Sequence, residues 1–261
     1  MLPFKVKRKR HFRKWVKVTF VILLIFFGFA LAYLNKPISS SENLTQRIEK
    51  ENISKASIFE EDIIPYSLEE YMDINPYVFG LLSFNDRGIL RNIPIVESKN
   101  KQWGDYWMTH NVFFEDDTLG CAFLDEQTPL NSSNNLRING HASYANNRMF
   151  TFLKQYLDSD YFNIHATFIL EESFAKSTYE IIFMARYDVE SDSLVSANWL
   201  QANLSKTDVE KMMEADKDAI IQIRELGLTE QEKYITLVSC DMQHKNYRYV
   251  VFAHEIERIL K

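Results

Sequence analysis

Two β-patterned runs near the carboxyl end, residues 234–240 and 247–253, constrain the fold of this chain most. Successive side chains of a strand point to opposite faces, so Thr236, Val238 and Cys240 share one face. By the same alternation Arg248, Val250 and Phe252 share a face of the second run. If residues 241–246 connect the two as an antiparallel pair, the thiol of Cys240 and the guanidinium of Arg248 meet at one end of a sheet.

The rest of the chain supplies partners for that pair. Short apolar runs around Val78–Leu82, Ile93–Val96 and Cys121–Leu124 read as strands, bounded by turn signals at residues 85–88 and 115–117. Leu136-Arg137-Ile138 leads into Asn139-Gly140, a pair that favours a left-handed turn, so His141 is expected to project from a loop at a strand end. Met149, Phe150, Leu153, Tyr156 and Leu157 then recur at helical spacing, and two further strands are expected near residues 167–170 and 179–186. A helix is expected over residues 207–226, with Ser205 or Thr207 as its cap and Gly227 as its stop. Ser67-Leu68-Glu69-Glu70 marks a helix start within a short helical pair before the strands. Many short strands with inserted helices predict an α+β, mainly β domain with a closed or nearly closed sheet.

The amino-terminal end has a different character. Lys5, Lys7, Arg8, Lys9, Arg10, Arg13, Lys14 and Lys17 precede an uncharged apolar run over residues 18–34. That run reads as a membrane anchor or as the core of a secretory signal, Ala30-Leu31-Ala32 fitting the small-x-small cleavage pattern. A spanning helix needs about 20 apolar residues, with a range of roughly 17–25, so the length favours a retained anchor. The basic flank places residues 1–17 in the cytoplasm and sends everything after the anchor across the membrane. Residues 35–73 then form a stalk and helices, and residues 74–261 the main folded domain.

Charge and cysteine usage exclude several classes. Outside the basic tail, 22 Lys and Arg face 36 Asp and Glu, a net charge of −14, which leaves no electrostatic footprint for nucleic acid. Cys121 and Cys240 are the only two cysteines, so an exported chain of this kind is no disulfide scaffold, although one bridge between them is open. Cys121 lies in a strand pattern, where cysteine is usually a small buried hydrophobe. Asn-x-Ser/Thr triplets at Asn43, Asn52, Asn131 and Asn203 also permit a glycosylated ectodomain.

Cys240, His141 and Arg248 together would suit thiol acyl transfer. A thiol ordinarily has a pKa near 8.5, so about a few per cent is the attacking thiolate at neutral pH, and a nearby cation raises that share. Attack on a carbonyl builds an oxyanion that an arginine stabilises, and the departing amine needs a proton that a histidine supplies. His244, in the loop after Cys240, is the rival acid on reach.

Thr236-Leu237-Val238-Ser239-Cys240 resembles the sortase signature Thr-Leu-x-Thr-Cys, with Ser239 in place of threonine. Arg248-Tyr249-Val250-Val251 is similar to the family's Arg-x-Val-Val strand, and Asn139-Gly140-His141 to its Tyr-Gly-His. Gly120 to Asp125 resembles its Gly-x-x-Phe-x-Asp strand, and Met149-Phe150 with Leu153 and Tyr156 follows the class B pattern. The resemblance implies a closed eight-stranded sortase β-barrel, amino-terminal helices and a long helix between strands 6 and 7, here residues 207–226. It implies a single-pass enzyme on a Gram-positive surface, with its catalytic domain extracellular and no metal or organic cofactor. Cys240 would be the nucleophile that cleaves a carboxyl-terminal sorting signal through a thioacyl enzyme, His141 the general acid and base, and Arg248 the oxyanion or substrate stabiliser. A cell-wall amine would resolve the intermediate. The alternatives are a pilin-polymerising sortase, whose acceptor is a lysine of another subunit, and a membrane-tethered binding domain that has lost catalysis.

Overall fold

A computed structural model describes residues 66–99, 101–144, 147–190, 198–224, 228–229 and 232–261. The expected tail, anchor and stalk, and the first of the two amino-terminal helices, fall outside the described residues. None of the described helices is long and apolar enough to cross a membrane.

Helix α1, Leu68–Ile74, begins where expected. The Ser67 hydroxyl accepts the N–H of Glu70 at 3.2 Å, and the Glu70 carboxylate accepts the N–H of Ser67 at 2.7 Å. Such a capping box contributes about 1 kcal/mol, too little to hold a helix of two turns by itself. Packing supplies the rest, because Leu68 and Tyr71 are buried against Val78, Leu81, Trp107 and Cys121.

Nine strands follow: β1 Val78–Asp86, β2 Ile89–Glu97, β3 Ala122–Leu124, β4 Asn135–Asn139, β5 Thr167–Glu172, β6 Ala175–Asp188, β7 Ile220–Ile223, β8 Tyr234–Cys240 and β9 Tyr247–Leu260. Arg87 and Gly88 both have positive φ, which suits the two-residue turn joining β1 to β2. The sheet order is β5-β1-β2-β3-β4-β8-β9-β6-β7, and β5 also pairs with β6. Eight strands therefore close into a barrel, while β7 hangs on the outer side of β6. Leu82, Ile95, Ile138, Phe168, Ile181, Leu237 and Val251 fill the interior.

The helix expected over residues 149–157 forms as a 3-10 helix, Met149–Leu157. Phe150, Leu153 and Tyr156, three residues apart, stack along one side of such a helix and plug the barrel. Two helices had no legible sequence signal: α2, Lys101–Trp107, and α3, Ser159–Ile164, the latter capped by Asp158.

The helix expected over residues 207–226 is shorter than predicted. Helix α4, Lys206–Ala215, starts at the expected Ser205 cap and ends at Asp216. Ile220–Ile223 then pairs with β6 as β7. Three isoleucines in four residues are stiff at χ1 and suit a strand, and the ladder offered by β6 overrides the helical reading of the same apolar spacing. Val209 and Met212 of α4 bury with Phe183, Trp199, Val250 and Phe252 in a second core outside the barrel.

Candidate active site

Strands β8 and β9 form the expected antiparallel pair, with Cys240 directly opposite Arg248. Their alternation holds in three dimensions: Val238, Val250 and Phe252 all face the second core. Cys240 and Arg248 therefore lie on the outer face of the barrel, at its rim.

His141 arrives by a parallel pairing. Strand β4 runs beside β8 with Asn139 next to Val238, and the Gly140 N–H donates to the Val238 carbonyl at 3.0 Å. His141 lies two residues past Asn139, the end of β4, and Cys240 two residues past Val238, so both stand at the same end of neighbouring strands, which lie about 4.8 Å apart. The sulfur, imidazole and guanidinium residues thus share one rim, on β8, just past β4, and on β9.

Gly140 has its role for a reason other than the one expected from sequence. Its φ is not positive, so Asn139-Gly140 makes no left-handed turn. A Cβ there would instead lie 2.6 Å from a ring carbon of Phe150, so the residue before His141 must be bare for the barrel plug to close. The Phe150 N–H in turn donates to the His141 carbonyl at 3.0 Å. The imidazole is half-buried, with Nε2 3.0 Å from the carbonyl oxygen of Met108.

Arg248 points Nη1 at the carbonyls of Tyr247, at 2.9 Å, and Lys245, at 3.2 Å. Among the described residues no carboxylate pairs with it, so its charge is available to an incoming group. Cys240 is half-buried and Cys121 fully buried, and both are free thiols. Burial pushes the Cys121 thiol up to about 12, leaving it inert.

Asp241 organises the turn that follows the nucleophile. Its side chain is buried and accepts the N–H of Gln243 at 2.8 Å and that of His244 at 3.3 Å. Arg186 of β6 donates Nε at 2.8 Å. Burial opposes the charge of this carboxyl, but the Gln243 N–H, the Arg186 guanidinium and the Tyr249 hydroxyl outweigh it and hold the group below the usual carboxylate range. The His244 ring faces this carboxylate at 3.3 Å and is largely exposed, so the rival imidazole already has a partner.

An open groove of about 520 Å³ leads away from the rim, lined by Asp125, Arg137, Asn139, Val189, Trp199, Leu200, Val238 and Arg248. Arg137 is ion-paired with Asp125 and donates to the Leu200 carbonyl at 3.0 Å, while Asn139 donates to Asp125 at 3.0 Å. Asn135 fastens the same wall, donating to the carbonyls of Trp199 at 2.9 Å and Gln201 at 2.8 Å. Asp241 has one local signal, its place next to Cys240. Arg186 and Trp199 have none, because only the barrel brings them to the rim.

A barrel with a half-buried cysteine, a histidine and, among the described residues, an arginine without a carboxylate partner on one rim defines a thiol acyl-transfer enzyme. The sequence matches the family model described as Sortase domain over residues 88–256, and the chain belongs to the sortase family of cysteine transpeptidases. Sortase B of Listeria monocytogenes is 28% identical over 182 residues, 69% of each chain. The crystal structure of Clostridium perfringens sortase B superposes with a TM-score of 0.62 at 26% identity, covering 73% of this chain and 100% of that one. A Staphylococcus aureus sortase B–substrate complex superposes with a TM-score of 0.60 at 18% identity, covering 83% of this chain and 99% of that one. The relatives are class B sortases, as the motif order implied.

Proposed function

We propose that this chain is a membrane-anchored class B sortase that joins surface proteins to a cell-wall amine. The Cys240 sulfur attacks the carbonyl carbon of a scissile bond in a carboxyl-terminal sorting signal. The thiol proton passes to His141 and then to the departing amine, leaving a thioacyl enzyme. Arg248 stabilises the oxyanion or holds the signal, which lies in the groove beside Asn139 and Val238. An acceptor amine attacks the thioester, loses its proton to His141 and releases Cys240. Residues 18–34 hold the enzyme at the outer face of the cell membrane, with residues 1–17 in the cytoplasm.

The observation that supports this reading is the register that sets Cys240 opposite Arg248, with β4 pairing alongside β8 up to Asn139, two residues before His141. The test is incubation of the ectodomain lacking residues 1–34 with a panel of sorting-signal peptides, with and without an amine. Covalent capture on Cys240 that disappears in Cys240→Ala supports the enzyme, and capture by no signal supports a binding domain. An acceptor preference for a wall-type amine supports anchoring, whereas preference for a protein lysine supports pilin polymerisation.

A further inference from the structure

Taking His141 as the general acid and base proposed above, we propose that the main-chain carbonyl of Met108 is a positioning group for catalysis. It accepts the Nε2–H of His141, fixes the tautomer of the ring, and leaves Nδ1 as the nitrogen that exchanges protons with Cys240 and the leaving amine.

Met108 follows the last residue of α2, and its own N–H donates to the Gly104 carbonyl at 3.2 Å. Its carbonyl belongs to the end of that helical turn, where carbonyls lack partners within the helix. Among the described residues no main-chain N–H donates to it. The His141 Nε2 lies 3.0 Å from it across 33 residues of sequence. A carbonyl oxygen only accepts, so the contact is a hydrogen bond when Nε2 carries the proton. In the neutral ring Nδ1 then keeps its lone pair, and among the described residues it has no hydrogen-bond partner.

The carbonyl is held in place from both sides. Gly120 has φ +58°, and a Cβ there would lie 2.1 Å from the Trp107 oxygen and 2.9 Å from the Met108 oxygen. The Cys121 N–H donates to the Trp107 carbonyl at 2.8 Å, and Asp117 N–H to the Thr109 carbonyl at 2.9 Å, closing the loop between α2 and β3. Arg148, shortly after His141 in the chain, reaches Asp117 in that loop at 2.8 Å. The loop and the histidine segment are thereby tied to each other at two points, and the bare Gly120 permits the close packing that aims the Met108 oxygen at the ring.

The proton ledger closes on one nitrogen. As sulfur attacks, its proton moves to Nδ1, making an imidazolium whose Nε2–H stays on Met108. As the carbon–nitrogen bond breaks, Nδ1–H goes to the leaving amine. In the second half-reaction the acceptor amine loses a proton to Nδ1 as its nitrogen bonds the thioester carbon, and the departing thiolate recovers that proton.

The test uses the full-length chain labelled with 15N at histidine, the His141 signals being assigned by their loss in His141→Gln. With its ring neutral, His141 is expected to show a protonated Nε2, an unprotonated Nδ1 and an Nε2 proton that exchanges slowly with water. Gly120→Ala is expected to lose that slow exchange and to lower kcat on the order of 100-fold, a misplacement effect, with KM changed less than about twofold. A proton on Nδ1, or an Nε2 proton exchanging as fast as that of exposed His244, overturns the proposal, as does Gly120→Ala with unchanged kcat. If Gly120→Ala does not fold, the wild-type spectrum decides alone. Full turnover by His141→Gln would defeat the general acid reading, and the spectrum would still report whether Met108 holds the ring.

Discussion

Asp241 and Arg186 pair directly behind the nucleophile: Nε of Arg186 lies 2.8 Å and Nη2 2.7 Å from the same Oδ2 of the residue that follows Cys240. The guanidinium also stacks over the Tyr247 ring at 4.2 Å. One arginine from β6 therefore grips both ends of the β8–β9 connection, and with it the spacing of Cys240 and Arg248.

Arg186→Met is expected to destabilise the protein by about 2 kcal/mol, because it leaves a buried carboxylate without its cation; the partial exposure of Arg186 keeps the loss below that of a fully buried pair. Urea unfolding measures this. A change under about 0.5 kcal/mol would show that the pair contributes nothing to the fold.

The same carboxyl sets a pH dependence. Its pKa in the folded state lies below the ordinary 3.8, so its stabilisation is present above that value and is lost as pH falls through the lower, folded value. Asp241→Asn is expected to be less stable than wild type at neutral pH and to show a shallower decline in the acid range. Parallel acid-unfolding curves for the two proteins would refute this.

Arg248→Lys is expected to lose most activity, on the order of 100-fold in kcat, since a flexible ammonium does not reproduce the planar fork that stabilises an oxyanion. Melting temperature should hardly move, because Arg248 has no ion pair among the described residues. Near-normal turnover by the lysine variant would remove Arg248 from the chemistry.

Gly140→Ala forces a methyl to within 2.6 Å of the Phe150 ring. The expected cost is about 1–3 kcal/mol with a loss of activity, as overpacking displaces the segment carrying His141. Phe150→Leu in the same chain should recover part of both, and strictly additive losses in the double variant would rule out the contact.

The two thiols should differ in labelling. In the folded protein iodoacetamide is expected to modify Cys240 alone, since burial leaves Cys121 inaccessible and its thiol pushed up to about 12. Both should react in guanidinium. Native labelling of Cys121 would show that the cluster it forms with Leu68, Tyr71, Leu81 and Trp107 opens readily.

Period-two alternation together with a short connection over residues 241–246 brings Cys240 and Arg248 to one end of a sheet, because the strands are adjacent in sequence; the pairing that sets them directly opposite agrees. The Ser67 capping box was legible for the same reason, its contacts being three residues long. Over residues 220–223 local pattern misled: isoleucine spacing fits a helix or a strand, and only β6 alongside decides between them. Asn139-Gly140 reads locally as a left-handed turn, which does not form; the constraint on Gly140 is instead the Phe150 ring, which reaches it through the packed barrel plug. The partners of the site came entirely from the tertiary structure. Met108 meets His141 across 33 residues, and Arg186 meets Asp241 across 55. Neither meeting leaves a trace in local sequence, because closing the eight-stranded barrel, not the chain's own propensities, is what brings those groups within hydrogen-bonding range.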